Sequence, residues 1–201
     1  MRILRAADYR VMPWKNGGGT TTEIAVSPAG AGLDDFDWRV SMARVEGSGP
    51  FSQFAGIDRT LAILEGEGIV LDIAGRPPTS VNRTTALFSF PADVPTAAKL
   101  VGGPITDLNV MTHRGRTTHS VERLVVSAPV EIRTEPGTTL ILCLDGEVVI
   151  AAAEPARLGP FDTLLVERAA VTLPIQPSLL AQPTHDTTLF VIRIGGIRGN
   201  D

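Results

Sequence analysis

The sequence predicts an all-β protein made of two similar antiparallel modules, each a small β-barrel or jelly roll. Three observations carry this. Twenty Gly and fifteen Pro in 201 residues break the chain into short apolar runs, which suit strands and not long helices. Most runs are four to eight residues long, and Trp38-Arg39-Val40-Ser41-Met42-Ala43-Arg44-Val45 alternates with period two. Finally, the run from Thr60 to Val70 recurs 80 residues later from Leu140 to Ile150, and Asp107–Thr112 recurs at the same offset as Thr187–Ile192.

Strand-length runs lie at 24–26, 38–45, 60–64, 68–73, 86–90, 107–113, 121–126, 139–144, 147–152, 163–166, 170–175 and 187–194. In the run 38–45, Trp38, Val40 and Met42 share one face, and Arg39, Ser41 and Ala43 the other. The steps Glu65-Gly66 and Asp145-Gly146 sit between apolar runs and read as hairpin turns, because Gly tolerates positive φ. The strongest helix signal is short, Thr96 to Leu100 behind Pro95. The repeat divides the chain into modules at 1–120 and 121–201, expected to pack as one unit. Leu189-Phe190-Val191-Ile192 places apolar residues where the first module has Asn109-Val110-Met111-Thr112, so the second module is expected to have a closed core or a dimer face there.

Composition narrows the function. With 43% hydrophobic and 20% charged residues the chain is an ordinary globular one. A net charge of −4 and no basic run longer than two residues argue against nucleic acid as a partner. No stretch approaches the roughly 18 apolar residues of a membrane span, and the N-terminus has no signal-peptide core. A cytoplasmic protein is expected, with no membrane partner and a homodimer left open. Cys143 lies in the apolar run Leu140–Leu144 and reads as a small buried hydrophobe.

The residues that ask for a functional explanation are in the first module. Lys15 and Asn16 precede Gly17, Gly18 and Gly19, a loop that can present bare N–H groups as an anion cradle or serve as a plain hairpin. It is no P-loop, since no Gly-Lys-Ser/Thr ends it. Arg39 and Ser41 share a strand face. An inward Arg39 needs a partner, either a buried acid such as Glu23 or Asp58, or a ligand carboxylate matched to the guanidinium fork. Asp58-Arg59 reads as a turn-end salt bridge or as part of a site.

Two barrels with such turns resemble the cupins. A metal-binding cupin needs closely spaced His residues, whereas His113, His119 and His185 stand apart, so no metal site and no cofactor are expected. The motifs Trp14-Lys15-Asn16-Gly17-Gly18-Gly19, Trp38-Arg39-Val40-Ser41, Gly49-Pro50-Phe51-Ser52, Gly56-Ile57-Asp58-Arg59 and Asp107-Leu108-Asn109-Val110-Met111, in this order, resemble the HutD/Ves family over about residues 1–195. Ala55 departs from the proline usual there, and His113-Arg114-Gly115 from an Arg-Arg-Gly ending. The resemblance implies a metal-free bicupin that tunes histidine utilisation by sensing a small acidic metabolite such as formylglutamate or urocanate, with no established catalysis. Lys15, Asn16, Arg39, Ser41, Asp58, Arg59, Asn109 and Met111 match its motif positions and, with Gly17 and Gly18, make the expected ligand site. Two other readings stand beside it: a metal-free enzyme using Asp58, Glu23 or His113 as acid or base, and an interaction scaffold.

Overall fold

The Gly and Pro breaks end strands throughout the computed structural model, which describes residues 1–15, 17–151, 155–178 and 186–197 and contains no α-helix among them. The chain opens with β1 (Arg2–Leu4), a 3-10 turn at Ala6–Asp8, β2 (Arg10–Pro13), β3 (Gly19–Ser27), β4 (Trp38–Val45) and β5 (Gly49–Pro50). It continues through β6 (Ile57–Glu65), β7 (Ile69–Ile73), β8 (Thr79–Val81), β9 (Phe88–Pro91), β10 (Thr96–Leu100) and β11 (Ile105–His113). Then follow β12 (Thr117–Val126), β13 (Val130–Arg133), β14 (Thr138–Cys143), β15 (Val148–Ile150), β16 (Ala156–Leu158), β17 (Thr163–Glu167), β18 (Thr172–Pro177) and β19 (Thr187–Gly196).

These strands form two units, one of Arg10–Thr118 and one of Met1–Tyr9 with the chain from His119 onward. In the first, the sheets run β2-β3-β4-β11-β6-β9 and β5-β10-β7-β8; in the second, β1-β17-β14-β19-β12 and β13-β18-β15-β16. The order β4-β11-β6-β9 thus recurs as β12-β19-β14-β17, and β5-β10-β7-β8 as β13-β18-β15-β16. The 80-residue offset seen in the sequence is therefore two eight-stranded, double-sheet jelly rolls of the cupin type.

What lies outside the repeat is as informative. The β2–β3 hairpin extends the sheet at β4, and β1 is added to β17. Residues 1–9, expected in the first module, belong to the second unit, because Arg2–Leu4 pairs with Thr163–Leu165 and Ile3 packs on that core. The helix expected at Thr96–Leu100 is strand β10, paired with β7 on one side and β5 on the other. Five residues cannot repay helix nucleation, whereas two neighbouring strands satisfy the backbone fully. Thr96 and Ala98 are buried while Ala97 and Lys99 are exposed, a period of two that Pro95 masked.

Each unit has its own apolar core. Leu61, Ile63, Ile69, Leu71, Phe90 and Ile105 lead the first. Ile141, Cys143, Val148, Ile150, Leu164, Leu189 and Val191 lead the second. Burial, with Asp145 adding, pushes the Cys143 thiol up to about 12, which leaves it an inert hydrophobe. No helix among the described residues is long and apolar enough to cross a membrane.

Candidate functional site

Period two decides which side chains meet. In β4, Ser41 lies opposite Glu23 of β3 on one side and Asn109 of β11 on the other. Ala43 lies between Thr21 and Asp107 in the same way. Met111 lies between Arg39 and Arg59, and Asn109 faces Leu61 across β6. Odd-numbered residues of these strands therefore share one face. Within the first unit that face floors a cavity of about 550 Å³, to which Arg39, Ser41, Arg59, Asp107, Asn109 and Met111 contribute. Its walls are largely apolar: Met12, Pro13, Trp14, Leu33, Val45, Pro50, Phe51 and Phe54, with Lys15, Thr21 and Ser52 as polar members.

The floor is a hydrogen-bonded charge network. Arg39 donates from Nε to Glu23 Oε2 (2.8 Å) and from Nη1 to Ser41 Oγ (3.4 Å). Arg59 donates from Nε to Asn109 Oδ1 (2.7 Å) and also from Nη2 to that oxygen. Asn109 Nδ2 in turn donates to Asp107 Oδ1 (2.6 Å). The Arg59 guanidinium lies over the Phe51 ring at 4.5 Å and within 5.6 Å of Phe90. Asp107 is fully buried, and its Oδ2 has no hydrogen-bond partner. Burial pushes the Asp107 carboxyl up to about 6, against the pull of Arg59, the Asn109 amide and the Ala43 N–H. Burial also lowers Arg59 to about 10, with Asp107 opposing and Arg39 adding.

Of the ten expected site residues, Lys15, Arg39, Ser41, Arg59, Asn109 and Met111 line the cavity. Asn16 lies outside the described residues. Gly17 and Gly18 are not in the lining. Gly17 N–H donates to Trp14 O (3.1 Å), and Gly18 O accepts from Glu46 N–H (3.0 Å). The loop is a hairpin turn between β2 and β3, with Gly17 at φ +70°.

Asp58 lies elsewhere. It does not line the cavity and does not pair with Arg59, because neighbours in a strand point to opposite faces. Its half-exposed carboxylate pairs instead with Arg114 at 2.9 Å. Arg39 has the acid partner offered as one alternative, Glu23, yet still borders the cavity. Of the acid–base candidates, Glu23, Asp58 and His113 are all absent from the lining.

Several contributors, Asp107 and Trp14 among them, were not expected as site residues. Asp107 sits two residues before Asn109 in one apolar run, so the alternation Asp107, Asn109, Met111 was the available signal. Trp14, held by its Nε1–H to Thr21 Oγ1 (2.8 Å), forms wall as well as motif. Among the described residues no group of three His, Cys, Asp or Glu is placed to hold a metal ion.

Comparison with known proteins follows the same outline. The HutD family model matches residues 6–182. An uncharacterized 21.2 kDa protein in the hutC 3′ region of Pseudomonas putida is 39% identical over 175 residues, 83% of this chain and 87% of that protein. The structure of HutD from Pseudomonas fluorescens SBW25 in a formate condition is similar with a TM-score of 0.82 at 30% identity, covering 98% of this chain and 99% of that one. A cupin 2 conserved barrel domain protein from Leptotrichia buccalis, at 8% identity and a TM-score of 0.57, covers 96% of this chain and all of its own, a likeness of fold alone.

Proposed function

The chain belongs to the HutD family, and from that premise we propose that its cavity binds a small carboxylate metabolite of the formylglutamate or urocanate kind and that occupancy regulates histidine utilisation. The observation that carries this reading is the pair of buried guanidiniums on the floor. Arg39 spends Nε and Nη1, and Arg59 spends Nε and Nη2, so each keeps one terminal nitrogen without a protein partner among the described residues. A carboxylate satisfies such a donor better than water does, since the surroundings are apolar. Lys15 adds a cation to the lining, while the walls of Trp14, Phe51 and Phe54 suit a flat or extended organic body. Asn109 uses its Oδ1 and one of its two Nδ2 hydrogens within the network, so Ser41 and the second Asn109 N–H are the floor groups left to address a formyl or ring group.

Two charge-assisted contacts of about 1.5–3 kcal/mol each, less the freedom lost on binding, correspond to affinity from about a hundred micromolar to several millimolar. That range suits a protein reporting on metabolite level. Calorimetry with N-formyl-L-glutamate, urocanate and histidine tests the proposal. One of the two acids is expected to bind in that range, and Arg39→Ala to weaken it at least tenfold while the fold, followed by circular dichroism, is retained. In cells grown on histidine, the same variant is expected to derange expression of the pathway as deletion does. No heat from any of the three, or binding indifferent to both Arg39→Ala and Arg59→Ala, overturns it.

A further inference from the structure

We propose that anion binding at Arg59 is coupled to proton uptake by Asp107, so that the ligand enters together with a proton that lands on Asp107 Oδ2. The inference rests on the reading above that the cavity takes an anion. Its basis is the chain Asp107–Asn109–Arg59. One oxygen of Asp107 accepts from Asn109 Nδ2, whose amide oxygen accepts two N–H groups of Arg59. The other oxygen, sealed from solvent, has no partner at all.

A fully buried carboxylate half-satisfied in this way stays charged only because a cation stands near it. The charged groups around it are few. Arg59 comes from β6, Arg39 from β4 with its charge already matched by Glu23 of β3, and the Ala43 backbone N–H of β4 completes the surroundings. Arg59 is thus the cation that keeps Asp107 ionised. An anion settling on the free nitrogen of Arg59 cancels that field, and Asp107 then holds a proton more tightly. The upward displacement of Asp107 means that little more is needed near neutral pH. Asp107 is fully buried, so it acts through Asn109 and Arg59 as a positioning residue.

The coupling is tested without ligand and with it. In the ligand-free full chain, carboxyl carbon NMR reads the Asp107 midpoint. Arg59→Gln, which removes the cation as an anion would, is expected to raise it by about one unit or more, a tenfold gain in proton affinity. Arg59→Lys, which keeps the charge, is expected to leave it near the wild-type value. An unmoved midpoint in Arg59→Gln overturns the inference whether or not any ligand binds.

With ligand, calorimetry of the wild-type protein uses N-formyl-L-glutamate in phosphate and in Tris. The heats are expected to differ by the buffer ionisation heat times the proton taken up. For a one-unit rise, binding is about fivefold tighter at pH 6 than at pH 8. Asp107→Asn is expected to bind with neither dependence. Binding heat that ignores the buffer, or an equal pH trend in Asp107→Asn, also overturns the inference. No heat at all beside a shifted midpoint in Arg59→Gln refutes the carboxylate reading and leaves the Arg59–Asp107 coupling established.

Discussion

Asp107 shows how one residue can be costly and retained. Burial raises its carboxyl to about 6, compared with about 3.9 in an unfolded chain, so the folded protein binds this proton more tightly. The group therefore contributes stability that is fully present below about pH 4 and is lost as pH rises through 6. Two units of displacement correspond to about 3 kcal/mol across that window. Urea denaturation of wild type and Asp107→Asn tests this. The variant is expected to gain on the wild type by about 2–3 kcal/mol between pH 4 and pH 8, and a difference constant with pH would refute it. Asp162 of the second unit has the opposite sign. Burial opposes its ionisation, but the Ala6 N–H, the Arg5 guanidinium and the Gly159 N–H outweigh burial and hold it below the usual carboxylate range. Its contribution is lost as pH falls, so Asp162→Asn is expected to flatten the acid limb of the same stability curve.

At this scale the sequence was partly legible. Arg39 and Ser41 followed from period two within one strand. Arg59 and Asp58 could not be separated until their strand had a buried face, and the partnership of Asp107 with Arg59 spans two strands whose register no local pattern reveals.

Among the elements, the β2–β3 hairpin carries the clearest lesson. Three consecutive glycines suggested a ligand loop, but Gly17 answers to a positive φ and Gly19 to a close approach of backbone. A Cβ at Gly19 would collide with the Arg44 carbonyl of the neighbouring strand and come within 3.2 Å of the Trp14 ring. Gly19→Ala is expected to cost more than about 2 kcal/mol, because the obstacle is backbone and cannot rotate away. Tryptophan fluorescence should shift as well, since Trp14 is tied to this hairpin through Thr21. Gly47→Ala is the control: nothing lies within 4 Å of its Cβ position, and the change is expected to stay within about 0.5 kcal/mol. Equal melting of the two variants would refute the packing account. The hairpin was legible as a turn, while its purpose was not, because the Arg44 carbonyl arrives from a strand 25 residues away in sequence. Likewise the five residues of β10 read as helix on local evidence and became a strand because two partners awaited them.

For the molecule as a whole, the repeat supplies an internal control on the site. At the 80-residue offset, Arg59, Asp107 and Asn109 correspond to Thr139, Thr187 and Leu189. All three counterparts are buried, and Leu189 is part of the second unit's apolar core. One jelly roll thus keeps a charged network beneath a cavity, and the other fills the same strands with Leu, Val and Ile. Buried ion networks seldom add net stability, whereas breaking one partner away is severe. Replacing the network by its own repeat, as Arg59→Thr, Asp107→Thr and Asn109→Leu together, is therefore expected to leave stability near the wild-type value or above it at pH 8. Arg59→Thr alone strands the Asp107 carboxylate and is expected to cost about 3–5 kcal/mol. The two results differ because the groups act as a unit, so the single changes do not sum to the triple. Urea denaturation of both variants with a binding measurement on the triple decides the matter. A triple variant that is stable but unable to bind shows that the polar floor serves binding at the expense of packing. A triple variant less stable than Arg59→Thr would show that the network holds the first jelly roll together.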